Sequence, residues 1–230
     1  MNALRQAPAA AVAAALEDSA AFGSFFSIGL GGPDDGWHPV EDAYERGVAD
    51  LIAVTADRHG TRELRIGASI VQLGHAARLW SPVLACTVVH GIVPDLERLH
   101  RADDGPALRL PAAPTGWYAP GIPHLTNLLH EVVVVRQLDV LAAGLRVKVA
   151  PGLLAGNAAS ALVEAARTIL AARPDLRDPL AGLVDGMLGT GRLAGTGKVV
   201  GGDLGFRRRS CCLYYRVPSG VKCEDCSLAG

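Results

Sequence analysis

Apolar residues recur three or four positions apart along most of the chain and alternate only in short pieces, so helix dominates the expected structure. Pro8 to Ala21 predicts a first helix from its alanine content, with Pro8 tolerated in the first turn. Phe22 to Gly32 predicts an extended segment ending in a turn, and Gly31-Gly-Pro-Asp-Asp-Gly36 punctuates the chain after it. Helical spacing resumes over Glu41 to Asp57. It returns from Glu63 to about Trp80, where Ile66, Ile70, Leu73, Ala77 and Trp80 share one face, and Pro82 is expected to end or kink that helix. Val83 to Val93 is apolar and rich in β-branched residues, which fits either a helix or a buried strand.

From Pro94 to Pro123 the chain is rich in Pro, Asp and Gly, and Leu108-Arg-Leu110 with Gly116-Trp-Tyr118 predicts a hairpin. His124 or Thr126 is the expected cap of a long helix reaching about Val149. Pro151-Gly152 separates it from another over roughly Leu154 to Ala172, and these two helices are expected to carry the core. Asp178 to Leu188 predicts a shorter helix with Pro179 in its first turn. Gly189 to Gly205, with seven glycines, reads as a flexible connector. The fold class expected is α+β and mainly helical. Residues 1–200 form a helical body with a small antiparallel β element, and residues 201–230 form a C-terminal cysteine lobe.

Composition narrows the function classes. With 230 residues, half of them hydrophobic, the chain can bury a real core without covalent staples. A net charge of -1 and a pI near 6.6 argue against a nucleic-acid partner, whose binding face pulls a domain basic. Ala9 to Leu16 faintly resembles the apolar stretch of a signal peptide, but Glu17 and Asp18 close it, so an alanine-rich amphipathic helix is the better reading. No apolar run approaches the roughly 18 residues of a membrane span. The longest candidates are broken by Arg136, Asp139 and Arg146. A soluble, cytoplasmic, monomeric protein is expected.

The chemistry concentrates at the C-terminus, where four of the five cysteines fall as Cys211-Cys212, ten intervening residues, then Cys223-Glu-Asp-Cys226. Thiolate is a soft ligand for zinc, copper(I) and iron–sulfur clusters, and the spacing of Cys223 and Cys226 lets one tight turn aim both sulfurs at one centre. The neighbours Cys211 and Cys212 diverge from the backbone and converge poorly on one small tetrahedral ion. A zinc ribbon would more naturally show two Cys-x-x-Cys knuckles, whereas a [2Fe–2S] rhomb spreads four thiolates over two irons. Disulfides are the weakest reading in a chain of this size. A redox-active vicinal dithiol, helped by Arg207-Arg208-Arg209, would leave the second cysteine pair unexplained. Cys86 sits in the apolar Val83 to Val89 segment and reads as a small hydrophobe outside the site.

Other motifs carry less. Gly191 to Val199 resembles a phosphate-binding loop, yet Arg192 stands where a glycine is needed and Val199 where a magnesium-binding hydroxyl is needed; it reads as a hinge. The seven histidines form no pair with metal-ligand spacing on a helix face. No dinucleotide fingerprint is present.

Arg207-Arg-Arg-Ser-Cys-Cys-Leu-Tyr-Tyr-Arg-Val-Pro, followed by Cys223-Glu-Asp-Cys226, resembles the C-terminal signature of the FhuF-like ferric siderophore reductases. Arg78-Leu-Trp-Ser-Pro-Val-Leu, Gly91-Ile-Val-Pro-Asp95 and Leu154-Ala-Gly-Asn-Ala-Ala-Ser-Ala161 are also similar to stretches of that family, so the resemblance runs over roughly residues 65–230. It favours helix for Val83 to Val93. It implies that Cys211, Cys212, Cys223 and Cys226 ligate a [2Fe–2S] cluster as the redox centre. It further implies a cytoplasmic protein, or one in peripheral contact with the inner membrane, that reduces a hydroxamate-type ferric siderophore with electrons from an external donor protein or small reductant. Arg207 to Arg209, with Arg216 and Lys222, would raise the cluster potential or dock an acidic donor. Arg78, Trp117, Tyr118 and Arg207 are the candidates to hold the siderophore, with Trp80 better explained by core packing. The alternative is a non-catalytic zinc- or iron–sulfur-binding structural or sensor domain, separated from the first reading by metal identity and turnover.

Overall fold

The computed structural model describes residues 4–122 and 124–228. Alanine propensity builds α1, Ala9–Ser19, with Pro8 just ahead of it, where a missing N–H costs no helical bond. Ser19 Oγ donates to the carbonyls of Leu16 and Phe26 at 2.7 and 2.8 Å, fastening the next segment back onto the helix end. That segment is two short 3-10 turns, Ala20–Phe22 and Ser24–Phe26, around Gly23 at φ 130°, and only its end is extended as strand β1, Gly29–Leu30. Strand β2 follows at Trp37–Pro39.

The single helix expected over Glu41 to Asp57 is split into α2, Val40–Glu45, and α3, Ala49–Arg58. Gly47 and Val48 take left-handed conformations at φ 67° and 46°, and a side chain at Gly47 would meet the Gly144 carbonyl at 2.6 Å. The break is therefore imposed by a distant stretch of backbone packed against it. Helix α4, Leu64–His90, runs straight through Pro82, correcting the expected end there, and takes in most of the ambiguous apolar run. Every residue from Leu79 to Thr87 is buried, so packing on all sides outweighs the backbone hydrogen bond that Pro82 cannot make.

Strands β3, Ile92–Pro94, β4, His100–Ala102, β5, Leu108–Leu110, and β6, Gly116–Tyr118, follow. The expected hairpin between the last two does not form. Strand β5 lies between β1 and β4 in a four-stranded sheet of order β1-β5-β4-β2, while β6 pairs antiparallel with β3. Pro111 and Pro114 stiffen the link and carry the chain to the second sheet. Pairing is antiparallel except between β1 and β5.

Helices α5, His124–Leu129, and α6, Asp139–Gly144, are joined by a π-helical stretch, His130–Leu138, into one rod. It ends at Gly144, short of the expected Val149, where the backbone presses on the Tyr44 carbonyl with no room for a Cβ. Pro123, the expected limit of the preceding loop, lies outside the described residues. Helix α7, Pro151–Ala172, takes Pro151 into its first turn, and α8 spans Arg177–Leu188. The glycine-rich connector is an ordered hairpin for much of its length, with β7, Gly197–Val200, antiparallel to β8, Gly205–Arg208. The chain is thus a mainly helical α+β fold. Helices α4 and α7 pack on each other at its centre, where Trp80, Leu79, Leu162 and Ile169 are fully buried. Among the described residues no helix is long and apolar enough to cross a membrane.

Candidate functional site

The cysteine segment follows β8 and lies over α4 and α7. What permits that approach is Gly156 on α7, where any side chain would run into Ser210, and a set of buried polar groups beside it. Asn157 Nδ2 donates to the Ser69 carbonyl at 3.0 Å and to Gln72 Oε1 at 2.9 Å, and its Oδ1 accepts from the Arg208 guanidinium. Ser69 Oγ donates to the Cys212 carbonyl at 2.7 Å. Buried polar groups of this kind hold only when each finds a partner, so the network fixes where the cysteines sit.

Two turns then shape the segment. Leu213 adopts φ 70°, a left-handed conformation rare for leucine, and reverses the chain directly after the cysteine pair while its N–H points to Cys211 Sγ at 3.3 Å. Across from it the Cys226 N–H donates to the Cys223 carbonyl at 3.1 Å, closing the Cys-x-x-Cys turn, and the Leu228 N–H points to Cys226 Sγ at 3.4 Å. Arg207 donates to the Cys226 carbonyl at 2.9 Å, and the Arg208 N–H to the Asp225 carbonyl at 3.0 Å. On the outer side Asp225 accepts from Ser160 of α7, and Glu224 pairs with Arg167 of α7 at 3.1 Å.

All five cysteines are free thiols. Cys212 and Cys226 are buried; Cys211 and Cys223 are half-exposed. Cys212 Sγ and Cys223 Sγ lie 3.8 Å apart. Two thiolates on one tetrahedral metal, each bonded at about 2.3 Å, also lie about 3.8 Å apart. Burial raises the Cys211 thiol pKa, the neighbouring Cys212 and Cys226 add to the rise, and the Leu213 N–H and Arg208 oppose it. Burial likewise raises the Cys223 thiol well above its usual range, reinforced by Asp225 and Cys212. Without metal these sulfurs therefore hold their protons, and metal binding must release them. Among the described residues no three or more metal-ligating side chains gather about one point.

Arg208 supplies the electrostatic test. It is 2% exposed, no described carboxylate is within ion-pair distance, and its Nε has no hydrogen-bond partner. A buried cation without an ion-pair partner is costly, and Arg208 acts electrostatically on the Cys211 thiol, so negative charge gathered on the sulfurs would offset part of that cost. An anionic thiolate-bound cluster fits this donor set.

The other expected site residues are dispersed. Cys86 is fully buried in α4 with its thiol pushed up to about 12 by burial, apart from the cluster segment. Trp80 is wholly within the core. Trp117 and Tyr118 lie on β6 under the N-terminal segment, where the Arg5 guanidinium sits 3.8 Å from the Tyr118 ring centre. Arg78 donates to the Gly74 carbonyl at 3.0 Å and lies 4.6 Å from the Phe25 ring centre.

Phe25 belongs to the lip of a cavity of about 700 Å³ that sequence reasoning did not foresee. The segment from Phe22 to Phe26, one face each of α4 and α7, Phe206 of β8, and the Cys223-Glu-Asp225 turn line it. The aromatic run Phe25-Phe26 and the small residues Gly74, Ala77, Ala161 and Ala165 were visible in the sequence, but nothing there places them around Cys223.

Residues 208–228 match the family model of the FhuF 2Fe-2S C-terminal domain. The match spans all four clustered cysteines and leaves the helical body outside it. No curated protein and no solved structure matches the chain. The C-terminal segment is an FhuF-type domain, and its cofactor is a [2Fe–2S] cluster.

Proposed function

We propose that the protein is a one-electron reductase of ferric siderophores, with the cluster held by Cys211, Cys212, Cys223 and Cys226. The observation that supports this best is the match of residues 208–228 to an FhuF 2Fe-2S domain, with four free cysteines in that segment and the buried Arg208 acting on Cys211. The 3.8 Å separation of the Cys212 and Cys223 sulfurs supports these two as one ligand pair, which leaves Cys211 and Cys226 as the other. When bound, the cluster accepts and passes on a single electron.

The chain's own part is to hold, screen and tune. The Leu213 and Leu228 N–H groups donate to sulfur, and Arg208 supplies fixed positive charge; both favour the more negative, reduced state. The electron comes from an external donor protein or small reductant and ends on the iron of the substrate, taking Fe(III) to Fe(II). No bond to carbon changes and the electron transfer itself moves no proton; the ligand oxygens take up protons from water as the iron leaves. Fe(II) is larger and softer, so the siderophore's hard oxygen ligands release it. A reducing, cytoplasmic setting suits the free thiols, and residues 201–230 act as the redox lobe on a substrate-binding body.

The test is anaerobic purification followed by iron and acid-labile sulfide analysis, EPR before and after reduction, and ferric-siderophore turnover with an Fe(II) trap. Two irons and two sulfides, a reduced paramagnetic signal and Fe(II) release that Cys223→Ser abolishes are expected. One zinc and no sulfide would leave a structural domain instead. A loaded cluster without Fe(II) release would leave an electron carrier or sensor.

A further inference from the structure

The cavity beside Cys223 has no assigned occupant. We propose that it seats the iron complex, and that it selects bulky iron(III) chelates of neutral or positive net charge with an apolar flank. This rests on the reductase reading above and adds to it a binding site and a charge rule.

Position comes first. Cys223 is a partly exposed cysteine of the segment and part of the cavity wall, so a complex seated there lies directly against a proposed ligand of the redox centre. Size comes second: about 700 Å³ lies within the range of roughly 300–1,000 Å³ usual for small-molecule sites. The walls are largely apolar, with Phe22, Phe25 and Phe26 facing Ile70, Leu73 and Ala77. Such walls grip the organic periphery of a chelate, not a hydrated ion.

Charge decides the class. The polar side of the cavity carries Glu164, Glu224 and Asp225 against a single guanidinium, Arg167, already bonded to Glu164 at 3.0 Å and to Glu224 at 3.1 Å. Arg78 lies against the Phe25 lip and is engaged by the Gly74 carbonyl and that ring. A thiolate-bound cluster behind Cys223 makes the site more negative still. A polyanionic chelate entering here meets like charge in a partly desolvated pocket, whereas a neutral or cationic one does not.

The experiment measures binding apart from redox chemistry, using gallium(III), which has the charge of iron(III) and cannot be reduced here. Titration calorimetry on the cluster-loaded protein compares a neutral gallium trihydroxamate, the same chelate carrying an ammonium group, and the trianionic gallium tris-catecholate. The first two should bind at least tenfold more tightly than the third. Ala77→Phe, which fills the cavity from α4, should weaken binding tenfold or more with the visible spectrum unchanged. Phe25→Ala, at an exposed side chain, should also weaken binding and serves if the first variant does not fold. Glu164→Lys should narrow the discrimination against the trianion several-fold. Equal binding of all three complexes overturns the charge rule. Undiminished binding to a folded Ala77→Phe or Phe25→Ala protein overturns the site, even if iron is still reduced. Charge-ordered binding without Fe(II) release from the iron counterparts would support the cavity and sink the reductase reading.

Discussion

The helical body and the cysteine lobe are held together by different physics. Along α4 and α7 the body is a continuous apolar interior in which Ile66, Leu79, Leu162 and Ile169 are fully buried. Beyond Phe206 no described residue joins that core. The lobe is instead tied down by polar bonds: Arg208 to Asn157, Ser69 to the Cys212 carbonyl, Ser160 to Asp225 and Arg207 to the Cys226 carbonyl. Apolar burial needs no metal to be stable, while the lobe presents four free cysteines and, in Arg208, a buried cation with no described carboxylate at ion-pair distance. The body should therefore fold alike with or without the cluster, and the lobe should not.

The largest effect that sharpens this contrast comes from the body. Leu162→Ala removes a fully buried side chain of α7 and should cost about 4 kcal/mol of stability in urea unfolding, equally in cluster-loaded and cluster-free protein. Next is the polar clasp. Asn157→Leu leaves the Arg208 guanidinium without its oxygen partner and should cost about 3 kcal/mol. Unlike the first variant, it should raise amide exchange in residues 209–228 and lower iron content per chain while α4 stays protected.

These two residues also mark what a reader of the sequence alone could see. The helices of the core, Leu162 among their apolar positions, follow from periodicity, and the four cysteines follow from spacing. Leu154 to Ala161 stood out as a family-like stretch without a reason. The structure supplies one: Gly156, Asn157 and Ser160 form the seat of the cysteine segment. What stayed hidden was set by long-range packing. Pro82 is overridden by burial, Gly47 is bent by the backbone at Gly144, and the partners of β5 and β6 are strands from elsewhere in the chain. The cavity was hidden for the same reason, since its walls come from five separate segments.

Acid separates the two regions a third way. His75 in α4 shares a 2.5 Å hydrogen bond with Tyr44, whose hydroxyl donates to Gln137 at 3.0 Å. Burial, then the charges of Arg78 and Arg101, lowers its pKa from 6.5 to about 3. The unfolded chain thus takes up a proton near pH 6.5 that the folded chain refuses until about pH 3. The stabilisation is present above pH 6.5 and is lost as pH falls through the interval. Between pH 7 and pH 5 it should cost the body about 2 kcal/mol. His75→Gln should flatten that slope in urea midpoints measured across the interval, with the cluster present or absent.

The smallest expected effect concerns an exposed tie between the two regions. Arg216 of the lobe reaches Glu63, just ahead of α4, at 2.8 Å, and Glu63 is shared with Arg65 at 2.8 Å. Both partners of the tie are well solvated, with side chains 34% and 40% exposed, so water and salt screen most of the attraction. Glu63→Gln should change stability by no more than about 0.5 kcal/mol, and 0.5 M salt should erase even that. The comparison with Asn157→Leu is the informative part, because both substitutions remove a partner of a lobe arginine. A large loss at Glu63, in stability or in cluster content, would mean that surface charge and not the buried clasp holds the lobe on the body.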